Sequence, residues 1–122
     1  MSLFSFIYDE EAMTATVSAK NLDISGEIVI PYFCYDENGK GPYLVTTVIY
    51  NAFRNCSNLT NIVIPNSVTT INAHAFDGCR NLTNIVIPNS VTTIESGAFA
   101  NCVSLINIVI PNSVTTIGSI EF

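Results

Sequence analysis

Three cysteines, Cys56, Cys79 and Cys102, recur every 23 residues, and a fourth, Cys34, stands outside that series. Thiols can ligate metal or attack an electrophile. A metal site, however, wants close pairs such as Cys-x-x-Cys, and the sequence has none. One thiol per 23 residues reads instead as a column of buried side chains acting as small apolar groups. A disulfide between neighbouring copies would be strained at such spacing. Cys34 is the thiol expected to be exposed. The single histidine, His74, lies close to Asp77, but catalysis would need a nucleophile held with them in a cleft. A solvated histidine on a short helical turn is the simpler reading. Asp36-Glu37-Asn38-Gly39-Lys40-Gly41 is rich in side-chain oxygens, but Lys40 stands where a calcium loop needs a ligand, and that pattern also wants a glutamate further on. Asn38-Gly39 predicts a type I′ hairpin tip instead. The N-glycosylation patterns at Asn55, Asn58 and Asn81 follow from an asparagine-rich repeat. The six glycines are scattered and form no phosphate loop. No catalytic residue, no metal ligand set and no cofactor site emerges, and the expectation is a protein that is not an enzyme.

Those residues must be positioned by something, and the period that spaces the cysteines supplies it. Ile-Val-Ile-Pro-Asn-Ser-Val-Thr-Thr occurs at Ile62–Thr70, Ile85–Thr93 and Ile108–Thr116. The same 23-residue register aligns Phe53, Phe76, Phe99 and Phe122, and it aligns Leu59, Leu82 and Leu105. Ala52, Ala75 and Ala98 match as well, with Glu121 breaking that column. Repetition at a fixed period of this size is the signature of stacked architectures.

Within one unit, Leu82, Ile85 and Ile87 have the leucine-rich spacing. Ile85 and Ile87 alternate with Val86, so this segment is a strand with the two isoleucines on one face. Pro88 ends it, because proline cannot donate to a ladder, and Asn89-Ser90 turn the chain. Val91 and Ile94 point inward from a second short extended or turn segment. Gly97-Ala98-Phe99 allow one helical turn, its Phe and Cys inward, with Asn101 as terminator. A single unit cannot bury these side chains alone. Stacking turns each position into a ladder with strands about 4.8 Å apart.

Upstream, Glu27-Ile28-Val29-Ile30-Pro31 repeats the strand-then-proline signature, and Leu44-Val45-Thr46-Thr47-Val48 repeats the segment after the turn. Phe33 to Tyr43 are inserted between them. Before that, Phe4, Phe6 and Tyr8 alternate, Asp9 to Ala12 turn, and Thr14 to Val17 alternate again. This predicts a hairpin whose apolar side closes the amino-terminal end of the stack, as terminal units of solenoids require. The expected organisation is a capping hairpin over 1–25, an irregular first repeat with an inserted loop over 26–47, and repeats over 48–122, in units 48–70, 71–93, 94–116 and a partial 117–122. The fold class expected is an α/β repeat, mostly β. It is a solenoid with a parallel sheet on one face, short helical turns on the other, and an N-terminal β-hairpin cap.

The pattern Ile-Pro-Asn-Ser-Val-Thr-Thr-Ile, then Ala-Phe, then Cys, then Asn-Leu-Thr, resembles the BspA-like class of leucine-rich repeats. The resemblance covers 48–122 closely and 26–47 loosely. It implies a module of a large exported or surface-anchored microbial protein, extracellular or cell-surface in location. Some such proteins are implicated in adhesion to host matrix proteins or to other cells.

Composition narrows the partners. Only 11% of residues are charged, well below the roughly 25% of an average protein. Seven of the ten acids precede residue 40, and the net charge is −6. Clustered Lys and Arg, which phosphate binding needs, are lacking, so nucleic acid is not an expected partner. No apolar run approaches the ~18 residues of a membrane span, and the start lacks a signal-peptide pattern. The expected partner is another protein, a host matrix or cell-surface protein by resemblance. The expected binding surface is the outward side of the strands: Thr60, Asn61 and Val63; Thr83, Asn84 and Val86; Ile106, Asn107 and Val109. The alternative is a structural spacer or self-assembling stalk, associating end to end through the carboxy-terminal unit.

Overall fold

Ile28, Ile62 and Ile85 lie side by side in a parallel ladder, and so do Val29, Val63 and Val86. The sequence alternation therefore becomes one buried and one exposed column. This arrangement is seen in a computed structural model of the chain, which describes residues 2–106 and 108–118. The described strands are β1 (Phe4–Asp9), β2 (Thr14–Ala19), β3 (Gly26–Val29), β4 (Phe33–Cys34), β5 (Tyr43–Val48), β6 (Leu59–Val63), β7 (Thr70–Ile71), β8 (Asn84–Val86), β9 (Thr93–Ile94) and β10 (Thr116–Ile117).

Two sheets flank the stack. One is the ladder β3-β6-β8. Pro31, Pro65 and Pro88 follow its strands, where the missing N–H costs no ladder bond. The other has the order β1-β2-β5-β7-β9-β10, with β4 paired antiparallel to β5. Its repeated part is built from the Thr-Thr-Ile segment, in register Thr47, Thr70, Thr93 and Thr116. A single parallel sheet was the expectation from sequence, with this segment a turn or short extended piece. It becomes a second ladder because the Thr69, Thr92 and Thr115 amides each donate to the threonine carbonyl one rung earlier, at 2.8–2.9 Å.

The expected helical turns are not present: no helix occurs among the described residues. The chain around each phenylalanine divides its amides between two directions. Ala75, Asp77 and Cys79 donate to carbonyls three residues back, at 3.1–3.3 Å, while His74, Phe76 and Gly78 donate to Ser96, Ala98 and Ala100 of the next rung, at 2.8–3.1 Å. A helix would take all of these amides into its own i−4 bonds. Positive φ at Asn51, Asn55, His74, Gly78, Gly97 and Asn101 also breaks helical continuity.

Between these walls lies a dry interior. Phe53, Phe76 and Phe99 are fully buried, as are Cys56, Cys79, Leu59, Leu82, Ala75 and Ala98. Neighbouring phenylalanine rings stack at 5.4 and 5.5 Å between centroids, inclined by only 5° and 3°. At the other end, β1 and β2 form an antiparallel hairpin, and β2 lies parallel to β5. Ala15 and Val17 of β2 are buried, and Phe4, Phe6 and Tyr8 of β1 pack half-buried against the core. Phe4 meets Phe53 edge-on at 6.4 Å, and Tyr8 lies 4.7 Å from Tyr43. The Glu121 and Phe122 positions of the repeat register lie outside the described residues.

Gly78 sits in this tight wall with φ +79°, and a Cβ there would collide with Oδ1 of Asn55 in the rung before. Gly78→Ala is expected to cost about 1–2 kcal/mol for the left-handed backbone alone, and more as Asn55 is displaced. Urea unfolding checks this, and an unchanged midpoint would contradict the placement.

Candidate functional site

The outward columns of the β3-β6-β8 ladder are open. Val63 is 42% exposed, Val86 69%, Val109 78% and Ile106 87%. Thr60, Thr83 and Asn84 are exposed and Asn61 is half-buried. Asn61 lies opposite Asn84, and Val63 opposite Val86. Asn107 lies outside the described residues. Ile108 and Ile110 pack half-buried on the core with Val109 turned outward, so the inward and outward alternation is kept in this rung, but the described ladder ends at β8 and the strand expected here is not formed among the described residues. The Thr83 side chain is held by donating its Oγ1 hydrogen to the Thr60 carbonyl at 3.1 Å.

Two residues belong with these columns that the sequence reading did not name. Glu27 pairs with Asn61 and Val29 with Val63, and both are exposed. The signal was present, since Glu27-Ile28-Val29-Ile30-Pro31 repeats the strand pattern. The face is thus a valine column flanked by a mostly amide column, wettable at its edges and apolar along its middle. Val86, Asn84, Val109 and Asn112 also line a shallow depression between the last two rungs.

Asp77 and the polar side chains around it bond to one another. Asp77 is buried; its Oδ1 accepts from Nδ2 of Asn101 at 2.9 Å, and its Oδ2 lies 3.1 Å from Nδ1 of His74 and 3.7 Å from Nε of Arg54. His74, at φ 57° on a turn rather than a helix, is oriented by an acid. Among the described residues no hydrogen bond joins it to a hydroxyl or thiol.

The cysteines form the expected column, and all four are free. Burial pushes the Cys56 and Cys102 thiols up to about 11. Cys79 is raised further, by burial first and then by the neighbouring Cys102 and Cys56 thiols. The Sγ of Cys79 donates to the Phe53 carbonyl and that of Cys102 to the Phe76 carbonyl, each at 3.1 Å. Such thiols are not nucleophiles at neutral pH.

Cys34 departs from expectation. It is buried, and burial raises its thiol too. Pairing of β4 with β5 turns Phe33 outward and Cys34 inward, opposite Tyr43. A thiol reagent added to the native protein at pH 8 is expected to label none of the four cysteines until the chain unfolds. Stoichiometric labelling of Cys34 in the folded state would contradict this burial.

The loop beyond Cys34 is also not the type I′ tip expected. Of Asn38 and Gly39 only Gly39 has a positive φ, whereas type I′ needs both. Asp36 organises the turn by accepting the Asn38 and Lys40 amides, both at 2.9 Å. The Lys40 amide, with that of Asn38, holds the Asp36 carboxyl below its ordinary value. Among the described residues no group of three or more His, Cys, Asp or Glu is placed to hold a metal ion, and no helix is long and apolar enough to cross a membrane.

The repeat has counterparts of known structure. A family model of the BspA type leucine rich repeat region, in six copies, matches residues 41–122. A leucine-rich repeat protein of T. pallidum superposes with a TM-score of 0.82 at 30% identity, over 95% of this chain and 51% of that one. One from Bacteroides ovatus ATCC 8483 gives 0.83 at 31% identity, over 97% of this chain and 30% of that one. A leucine rich cell surface protein of Faecalibacterium prausnitzii A2-165 gives 0.81 at 30% identity, over 98% of this chain and 32% of that one. This chain therefore spans about half, or less, of the length of these three proteins. A search of curated proteins finds no match.

Proposed function

Because the chain belongs to the BspA-type leucine-rich repeat family, we propose that the β3-β6-β8 face binds another protein, as part of a cell-surface or secreted adhesin-like molecule. Leucine-rich repeat regions of this kind are in general interaction or structural modules. The observation that carries the binding reading is the row of exposed valines, Val29, Val63, Val86 and Val109. Its side chains contribute little to the core, yet they form a contiguous apolar stripe of the sort that marks interaction sites. Low surface charge favours a protein partner, since interface centres are depleted in charged residues. The surface location is supported by the cell-surface protein of F. prausnitzii, whose fold is shared.

The test is direct. Val63, Val86 and Val109 are replaced together by aspartate, and binding is measured against a panel of immobilised matrix and cell-surface proteins. Binding by the parent chain is expected to fall at least about tenfold, equivalent to ~1.4 kcal/mol, measured well below the melting temperature, which the like charges on neighbouring strands will lower somewhat, with the circular dichroism unchanged. Equal binding by both proteins would sink the sheet-face assignment.

A second reading, a structural spacer or self-assembling stalk, is favoured by the sameness of the rungs, with valine at 63, 86 and 109 and asparagine at 61, 84 and 107. It expects no ligand on that panel and a solution mass, by light scattering, that grows with concentration as rungs pair end to end. A strict monomer over a hundredfold range of concentration would exclude the self-assembling form.

A further inference from the structure

Each regular rung turns from one sheet to the other through the same three residues: Pro65-Asn66-Ser67, Pro88-Asn89-Ser90 and Pro111-Asn112-Ser113. The irregular first rung keeps the proline, Pro31, but follows it with Tyr32. After the insertion, Leu44 stands where the others have serine. The small polar corner is replaced by an aromatic and an aliphatic side chain, and both are exposed. Local departures from an otherwise consistent pattern are where functional sites are expected.

The insertion adds to this corner. Tyr32 and Phe33 lie 4.6 Å apart with rings at 86°, and Phe33 and Tyr35 lie 6.0 Å apart at 90°. Tyr32, Phe33, Tyr35, Pro42 and Leu44 line one concavity. Tyr32 and Leu44 also line the next, with Pro65, Asn66 and Ser67. Tyr32, Phe33, Tyr35 and Leu44 are exposed, from 38% at Phe33 to 56% at Tyr32, so none of them is a core residue. Rings set at right angles present edges and faces to a common space, and the negative faces attract a cation within about 6 Å.

Charge selects the occupant. Residues 1–47 hold seven acids against Lys20 and Lys40, a net −5 of the chain's −6. Lys40 lies 3.8 Å from Glu10. Glu37 is exposed, and with Tyr35, Tyr8 and Lys20 it lines a further depression. A proline-rich peptide also fits aromatic grooves, but it would make no use of this acid excess.

We propose that this aromatic corner is a second docking site, one that seats an arginine or lysine side chain of an extended basic peptide among Tyr32, Phe33 and Tyr35, with Glu37 steering the approach. It is built on side chains that no regular rung possesses.

The test uses the whole chain and a fluorescent, arginine-rich decapeptide, followed by anisotropy at low and at physiological salt. Saturable binding that weakens with salt is expected. Tyr32→Ala and Tyr35→Ala should each weaken it about 2–5-fold, as an exposed cation–π contact predicts, without changing the circular dichroism or the melting temperature. Tyr35→Phe keeps the ring and should retain the affinity, and Glu37→Gln should flatten the salt dependence. The triple aspartate variant of the valine face should still bind, which separates this site from that one. Equal binding by the parent and both alanine variants would overturn the proposal, leaving only diffuse attraction to acids. Tighter binding of a proline-rich or glutamine-substituted peptide, or of a neutral oligosaccharide, would overturn it too.

Discussion

Phe76→Ala is expected to lower the unfolding free energy by about 3–5 kcal/mol, the usual cost of emptying a phenylalanine site in a core. Among the described residues Phe76 is the middle ring of three stacked ones. It is fully buried, with Phe53 at 5.4 Å on one side and Phe99 at 5.5 Å on the other, all nearly parallel. Truncation removes both ring contacts and leaves a void between rungs. The amides around it are tied in both directions, Phe76 to Ala98 and Phe53 to Ala75, so the rungs cannot close together to fill it. In a stacked protein, stability is a sum of unit and interface contributions, and this one change weakens two interfaces. Phe76→Leu, which keeps most of the volume, should cost clearly less. Urea unfolding measures both, and a loss below about 1 kcal/mol for the alanine variant would place the ring outside the core.

The second large effect is a collapse of stability in alkali. Cys56 and Cys102 are raised from 9.0 to about 11 by burial, and Cys79 is raised further. A thiol that donates to a carbonyl, as those of Cys79 and Cys102 do, loses that bond on ionising and leaves a buried charge. The unfolded chain ionises near 9 while the folded one keeps its protons. Stability is therefore complete below about pH 9 and falls as pH rises toward the folded values. Each thiol contributes about 1.4 kcal/mol per pH unit over that window. For Cys56 and Cys102 alone that is on the order of 5 kcal/mol by pH 11, comparable with the ~5–15 kcal/mol that holds an ordinary domain together. The urea midpoint is expected to stay level from pH 6 to 8 and to drop steeply from 9 to 11. A variant with alanine at all three positions should be weaker at pH 7 but flatter in alkali, with a remaining slope from Tyr8 and Tyr43, whose phenols are also raised, chiefly by burial. A parent midpoint independent of pH up to 11 would contradict the buried column.

The site was legible in the sequence only as a surface. Period 2 within Ile62–Ile64 and Ile85–Ile87 showed which side chains turn away from the isoleucines, and the ladder extended that column to Val29. The aromatic corner was not legible. Phe33 to Tyr43 read only as an insertion, and nothing local says that Tyr32 and Leu44, twelve residues apart, meet beside Pro65. Cys34 was misplaced for the same reason, because its burial depends on β4 finding β5.

By itself the sequence determined the period, the BspA-type repeat, the parallel Ile-Val-Ile ladder and the buried Phe, Cys and Leu columns. In a stack of near-identical units, a residue's nearest non-local neighbour is its own counterpart 23 positions away, so local pattern and tertiary contact carry the same information. Tertiary structure alone decided where the backbone amides go. Around Phe76 the local sequence permits a helical turn, and the Thr-Thr-Ile segment permits a bend. In both places amides reach the adjacent rung instead, building a wall of linked turns and a second sheet. That choice depends on how closely the rungs approach, which no single unit encodes.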